Sequence, residues 1–151
     1  IPFCFFHALG FLKDWNNYNF HFPLAFLLML WANDTGAYLF GVKFGKRKLF
    51  ERHSPKKSWE GFFGGMFTSV LVAIGLSFIF TENIAIVWAG MAVLIACFGT
   101  LGDLVESMLK RSLDTKDSGG LLPGHGGLLD RFDGLLLAAP VVYAYLYLIL
   151  Y

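Results

Sequence analysis

Charged residues are scarce in this sequence. Asp, Glu, Lys and Arg make up 15% of its 151 residues, whereas 56% are hydrophobic, and the mean hydropathy is +0.59. A soluble domain carries about 25% charged residues, so the composition excludes an ordinary soluble domain. It predicts a polytopic membrane protein. The net charge of +1 says little about partners, and we expect no nucleic acid to bind.

Cysteine is also rare, and the marks of several other protein classes are missing. Cys4 and Cys97 lie in separate apolar stretches, which excludes a disulfide framework and a cysteine metal site. The sequence shows no alternating strand pattern, no internal repeat and no signal-peptide pattern. It does not begin with Met, and its first twelve residues are apolar but too few to span a membrane. We therefore expect a single membrane domain, 1–151, that is a piece of a longer chain.

Four apolar stretches have about the length that a membrane crossing needs. A transmembrane helix takes about 20 apolar residues, and the stretches cover 22–44, 61–80, 84–109 and 134–151. A helix satisfies its own backbone hydrogen bonds in lipid, so all four are predicted to be helical. The sequence thus predicts an all-α polytopic membrane protein with about four full transmembrane helices plus a partial one at the N-terminus.

The cations are concentrated in two of the connecting loops. Seven of the twelve Lys and Arg residues lie within 43–57 and four within 110–131, whereas 81–83 has none. The positive-inside rule predicts that both basic loops are cytoplasmic and that 81–83 lies on the opposite side. Two spans separate the basic loops, so the span count agrees with the charge pattern.

The longest polar interruption in the C-terminal half runs from residue 107 to residue 133. Carboxylate oxygens favour Mg²⁺, Lys and Arg bind phosphate, and glycines let backbone N–H groups close around an anion. All three kinds of group occur here around Pro123-Gly124. This segment therefore carries the parts of a metal-dependent phosphate site. Its carboxylates are Asp114, Asp117, Asp130 and Asp133.

Two further carboxylates lie where lipid is expected. Asp34 is near the middle of the first full span, and a carboxylate there is costly unless it faces a partner or a wet cavity. It is either a structural hydrogen-bonding group or a site residue. Asp103 precedes the expected end of the third span and shares one helix face with Ser107 and Lys110. An ordinary charged helix end is the alternative for this face.

Other polar residues leave two interpretations open. Asp130 and Asp133, three residues apart, are either site carboxylates or a common helix N-terminal charge pattern. Arg131 is a snorkelling residue or a phosphate ligand, and His125 is a turn residue or a phosphate donor.

The basic loop 43–60 closes with a lysine pair. That pair binds either anionic lipid headgroups or a substrate phosphate. We expect a turn at Ser54-Pro55 and a helix cap at Ser58.

The fixed positions of these polar stretches resemble the signature of the phosphatidate cytidylyltransferases, also called CDP-diacylglycerol synthases. The matching positions are Ser107, Lys110, Arg111, Lys116, Asp117, Gly119, Pro123, Gly124, His125, Gly126, Gly127, Asp130, Arg131, Phe132 and Asp133, without a departure. Residues 34–38, 44–46 and 54–61 also resemble the upstream blocks of that family, in the expected order. The resemblance covers about 30–140, which is similar to the C-terminal, site-bearing half of family members.

The resemblance implies transfer of a cytidylyl group from CTP to phosphatidate, giving CDP-diacylglycerol and pyrophosphate, with Mg²⁺ as cofactor and a second cation left open. It implies Asp103 and Asp130 as metal ligands, with Asp133 and Asp117 as further ligands or their supports. The catalytic residues would be these two metal ligands with Lys110 and Arg111. The substrate-binding residues would be Asp34, Lys56, Lys57, Ser107, Lys116, His125, Gly126, Gly127 and Arg131. The expected partners are CTP, phosphatidate and membrane lipids, with a homodimer left open, and the expected location is the bacterial inner membrane with the site facing the cytoplasm.

Three other functions share some of these features. A CTP-dependent lipid kinase would use the same nucleotide but release CDP. A CDP-alcohol phosphotransferase needs Ala and Arg at positions 137 and 138, where Leu137 and Ala138 stand, so we reject it. A transporter with Asp34 and Asp103 as ion ligands commonly shows repeat symmetry, and we find none in the sequence.

Overall fold

Helices form most of the described chain. The computed structural model describes residues 2–14, 16–50, 54–80, 84–112 and 129–151, with the backbone alone for 50, 54–56 and 129–131. The helices are α1 (Pro2–Ala8), α2 (His21–Phe44), α3 (Trp59–Ile79), α4 (Ala85–Ser112) and α5 (Leu129–Leu150), with a 3-10 turn at Leu9–Phe11.

Four of these helices are long and apolar enough to cross a membrane. They are α2, α3, α4 and the Phe132–Leu150 part of α5, which confirms the predicted all-α membrane architecture. The partial N-terminal span is the short α1 with its 3-10 turn. The largest boundary difference is at α5, which begins five residues before the predicted 134 and so includes the first carboxylates of the fourth span.

The first basic loop contains an antiparallel strand pair that the sequence pattern did not indicate. Strand β1 (Lys48–Phe50) pairs with β2 (Ser54–Ser58), Lys48 opposite Ser58 and Phe50 opposite Ser54. The turn expected at Ser54-Pro55 was wrong, because both residues belong to β2. A two-stranded ladder leaves one edge of each strand unpaired, and Pro is tolerated at such an edge.

The junction between β2 and α3 is fixed by several hydrogen bonds. The Trp59 backbone N–H donates to the Arg47 carbonyl at 3.0 Å, and the Arg47 N–H donates to the Glu60 carboxylate at 3.3 Å. The Gly61 N–H donates to Ser58 Oγ at 3.1 Å, which confirms the predicted helix cap. The hairpin is thereby held against the start of α3.

Small residues let α2 and α3 pack closely. A Cβ at Gly36 would collide with Thr68, and one at Gly65 would crowd the Asn33 carbonyl. Thr68 Oγ1 donates to the Ala32 carbonyl at 2.9 Å, and Ser69 Oγ donates to the Met29 carbonyl at 3.1 Å. Close approach at small residues and hydroxyl bonds across helices are typical of membrane helix pairs.

The two ends of the helix bundle differ in their contacts. The His21 and Phe80 rings stack with centroids 4.3 Å apart, which brings the start of α2 to the end of α3. At the opposite end, Lys57 of β2 forms an ion pair with Asp103 of α4. The segments leading into both basic loops therefore meet at one end of the bundle, as the alternation of spans requires.

Candidate active site

A pocket of about 360 Å³ lies at the hairpin end of the bundle. Its walls come from α2, the junction of β2 and α3, α4 and the start of α5. The volume falls within the range of small-molecule sites, about 300–1,000 Å³. The charged side chains lining it, within the described ranges, are Asp34, Lys57, Asp103 and Asp133. Charged residues far apart in the sequence thus converge on one cavity.

A glycine crossing brings Asp103 and Asp133 to this pocket. A Cβ at Gly102 would collide with the Asp133 carbonyl oxygen, and a Cβ at Gly134 would lie 3.5 Å from the Gly99 Cα. Only a small residue permits such an approach of two helix backbones. The glycines therefore bring α4 and α5 together where each helix carries its carboxylate. The Asp133 side chain also accepts a hydrogen bond from the Gly134 N–H at 2.6 Å.

Lys57 supplies a positive charge from the hairpin. It lies on β2 directly before Ser58, which caps α3 and pairs with Lys48 of β1. Its ammonium forms an ion pair with the Asp103 carboxylate, and the two side chains are 27% and 40% exposed. The pair is therefore accessible from the pocket, and a ligand could reach both partners.

Asp34 lies in the same pocket, on α2. It lines the pocket together with Asn33, Asp103 and Lys57. Asn33 itself is buried. A carboxylate in the middle of a span thus faces a polar cavity, which is one of the arrangements in which a membrane tolerates a charge.

Glu106 is a neighbour of the site that sequence reasoning did not select. It is 5% exposed, its Oε1 lies 3.0 Å from Lys110 Nζ, and its charge interacts with that of Asp133. The available signal was its spacing, three residues after Asp103 and four before Lys110, which places acid and base one helix turn apart. Lys110 contacts Glu106. It is not among the pocket-lining residues.

The remaining predicted residues fall into two groups. Ser107 is half-buried and Arg111 is exposed near the end of α4, and neither lines the pocket. The others lie outside the described residues or, in strand and helix, outside the described side chains, so their roles stay predictions. These are Lys56, Lys116, Asp117, His125, Gly126, Gly127, Asp130 and Arg131.

The described side chains do not by themselves form a metal centre. Among them, no group of three His, Cys, Asp or Glu stands in an arrangement that could hold an ion. The predicted ligand pair of Asp103 and Asp130 includes a side chain outside the described set. The donor chemistry nonetheless suits Mg²⁺, because three carboxylates share a pocket with one ammonium and hard oxygen donors are those that Mg²⁺ prefers.

Comparison with known proteins identifies the family. The sequence matches the family described as "Cytidylyltransferase family" over residues 1–149. The chain belongs to this family. Proteins named phosphatidate cytidylyltransferase are similar to it. One from Staphylococcus aureus (strain COL) is 46% identical over 81% of this chain and 47% of its own length. One from Bacillus subtilis (strain 168) is 40% identical over 95% of this chain and 53% of its own length.

The chain spans about half the length of the curated relatives it matches. This member of the cytidylyltransferase family is an integral membrane protein. Its four helices able to span a membrane and its bacterial relatives support this conclusion. The family resemblance drawn from the motifs is confirmed.

Proposed function

We propose that the protein containing this chain is a phosphatidate cytidylyltransferase, which makes CDP-diacylglycerol and pyrophosphate from CTP and phosphatidate. The observation that carries the proposal is the pocket in which Asp34, Lys57, Asp103 and Asp133 meet at the hairpin end of the bundle. The names of the relatives support the same reaction.

The reaction needs positioning and charge neutralisation more than it needs a base. A phosphate oxygen of phosphatidate, already anionic at neutral pH, attacks the α-phosphorus of CTP. The bond from that phosphorus to the bridging oxygen breaks, and its electrons leave with pyrophosphate. No proton has to be removed from the nucleophile. The barrier lies in bringing anions together, and Lys and Arg groups that hold both phosphates lower it.

The residues of the pocket suit these tasks. Lys57 is accessible to a phosphate in the pocket. Lys110 lies outside the pocket lining, two residues before the end of α4, where it pairs with Glu106 one helix turn earlier. Asp103 and Asp133, with Asp130 and Asp117 from the sequence prediction, would hold Mg²⁺. When bound, that ion would offset the negative charge that collects on the departing pyrophosphate.

The membrane arrangement agrees with this chemistry. Phosphatidate keeps its acyl chains in lipid, and the apolar faces of α2 and α3 next to the pocket, with exposed Tyr38 and Phe63, suit contact with such chains. We propose that the pocket opens to the cytoplasmic side of a bacterial inner membrane, where CTP is available. The clustering of cations in both loops at this end supports that orientation.

An isotope experiment tests the reaction and separates it from the rival kinase. The full-length protein is incubated with phosphatidate, diacylglycerol as an alcohol acceptor, Mg²⁺ and CTP labelled on either the α- or the γ-phosphorus. We expect lipid labelled from the α-position and pyrophosphate labelled from the γ-position. Phospholipid labelled from the γ-position with release of CDP would show a lipid kinase instead.

Orientation is tested by labelling from the two sides of the membrane. A cysteine introduced at Asn83 should react with an impermeant thiol reagent only from the outside, and one at Lys48 only from the cytoplasm, in a background lacking Cys4 and Cys97. Labelling of the position-83 cysteine from the cytoplasm alone would overturn the proposed orientation.

A further inference from the structure

Lys57 lies where the Asp103 carboxylate and a substrate phosphate would compete for its ammonium. Its ammonium is paired with the Asp103 carboxylate, and its neighbour Ser58 is fixed by the helix cap and by pairing with Lys48. The pair is partly exposed on both sides, at 27% and 40%. Its partners can therefore be separated by a ligand without taking the helices apart.

The charges around this pair are unbalanced. Among the described residues lining the pocket, three carboxylates, Asp34, Asp103 and Asp133, surround a single ammonium. A divalent cation that used Asp103 as a ligand would compete with Lys57 for the same carboxylate. A phosphate is negatively charged, as Asp103 is, so it offers Lys57 a second partner. The flexible four-carbon stem of lysine allows its ammonium to change partner.

We infer that Lys57 is a built-in counter-ion of Asp103 that exchanges partners during substrate binding. Without metal and substrate it neutralises Asp103, and when a divalent cation takes Asp103 the ammonium turns to a substrate phosphate. The inference rests on the proposed function, since it needs a metal at Asp103 and a phosphate in the pocket. Binding of the metal and binding of the substrate would then favour each other, because the metal releases the Lys57 ammonium that the substrate phosphate requires.

This exchange has two consequences of opposite sign. Removal of the Lys57 ammonium strengthens metal binding, because a competitor for Asp103 is gone, and weakens binding of the substrate phosphate. A lysine that only bound phosphate would leave metal affinity unchanged in the absence of substrate. A lysine that only supported the fold would weaken metal binding when removed, because Asp103 would lose its orientation.

The experiment compares Lys57→Met with Lys48→Met in the full-length protein in neutral detergent. Lys48 lies on β1 in the same hairpin, is exposed and does not line the pocket, so its variant controls for the loss of one charge. Mn²⁺ serves as the probe, and free Mn²⁺ is measured by electron paramagnetic resonance without nucleotide. We expect the Kd for Mn²⁺ to fall about fivefold in Lys57→Met, as for loss of one half-exposed ion pair. It should change by less than about twofold in Lys48→Met, where no such pair is lost. The Kd for CTP at saturating Mn²⁺ should rise in Lys57→Met alone.

The outcomes separate this inference from the proposed reaction. Unchanged or weaker Mn²⁺ binding in Lys57→Met overturns the exchange, while the isotope assay shows independently whether the protein forms CDP-lipid. Absence of Mn²⁺ binding in both the unmodified protein and Lys57→Met overturns the exchange together with the metal site.

If Lys57→Met does not fold, the unmodified protein carries the test. Acylation of Lys57 by an amine reagent, followed by mass spectrometry, should be faster with Mg²⁺ present, while acylation of Lys48 should not change. No acceleration at Lys57 overturns the inference.

Discussion

The two ends of this helix bundle are built by different means. At one end large rings fill the space, with Trp88 1% exposed and its ring centroid 5.4 Å from that of Phe22. At the other end glycines let helix backbones approach, and carboxylates and a lysine surround a pocket. The same helices thus carry a filled core at one end and a cavity at the other.

The difference teaches how a membrane protein can hold charges within its spans. In lipid, large apolar side chains gain little by burial alone, so packing and close contact must hold the helices together. The ring-filled end supplies such packing. The glycine end can then bring Asp103 and Asp133 together, an arrangement that repulsion between carboxylates would otherwise oppose.

Removal of a carboxylate at the pocket end should give the largest effect. Asp103→Asn and Asp130→Asn should each lower turnover by about a hundredfold or more, because the lost charge stabilises charge in the transition state. The midpoint of thermal unfolding in detergent should stay within a few degrees. The double variant should be hardly slower than either single variant, since residues that act as a unit are not additive. Near-full turnover of Asp103→Asn at saturating Mg²⁺ and CTP would exclude Asp103 as a metal ligand.

Widening the glycine crossing should have the next largest effect. Gly102→Ala places a Cβ against the Asp133 carbonyl, so α4 and α5 must separate and move the two carboxylates apart. We expect turnover to fall by about tenfold to a hundredfold, as a misplacement near 1 Å can do, with some loss of thermal stability.

The matched control for this change is Gly75→Ala. Gly75 lies on α3 with nothing within 4 Å of an added Cβ, and Ala is the better helix former. Turnover should therefore not change, and stability should stay the same or rise. Equal losses of turnover in both glycine variants would show that the effect is not specific to the crossing.

The sequence allowed the helices and the charged residues of the pocket to be predicted, for physical reasons. Long apolar runs permit only helices in lipid, so α2 to α5 were found within a few residues of their ends. Charges inside such runs are costly, so Asp34 and Asp103 were candidate site residues before any contact was known, and both line the same pocket.

Other features were not predictable because they depend on contacts between distant residues. Strand β1 has only three residues and β2 is polar, so neither shows the alternation of apolar residues that would reveal a strand. The ion pair of Lys57 with Asp103 joins residues 46 positions apart, and no local pattern encodes it. Glu106 lies between Asp103 and Lys110 in the sequence, but only the structure showed that it is buried.

A change at Glu106, near the pocket end of the bundle, should lower activity less than the changes at Asp103 or Gly102. Glu106→Gln keeps the shape but removes the charge that holds Lys110 and faces Asp133. If Glu106 orients Lys110 toward the nucleotide, the KM for CTP should rise about tenfold, the size expected when a group that orients a ligand is lost, while kcat falls less. Glu106→Asp should restore part of the affinity. If kcat fell only as far as the thermal stability of the variant fell, and the KM for CTP did not change, Glu106 would have a structural role only.

The smallest effect on turnover should come from the ring-filled end. Trp88→Ala removes a buried ring that contacts Phe22 and Phe80, and such truncations cost about 3 kcal/mol or more of stability in protein cores. The folded protein should nonetheless keep its turnover within about twofold, because Trp88 does not line the pocket and distant sites are independent.

Trp88→Phe sharpens the comparison. In the described part of the chain the indole Nε1 is buried without a hydrogen-bond partner, and an unpaired buried donor is itself costly. The Phe variant removes that donor and keeps most of the ring contact, so its midpoint of thermal unfolding should lie much closer to that of the unmodified protein. A large loss of turnover in Trp88→Phe, with stability retained, would show that the two ends are coupled and would overturn the division between them.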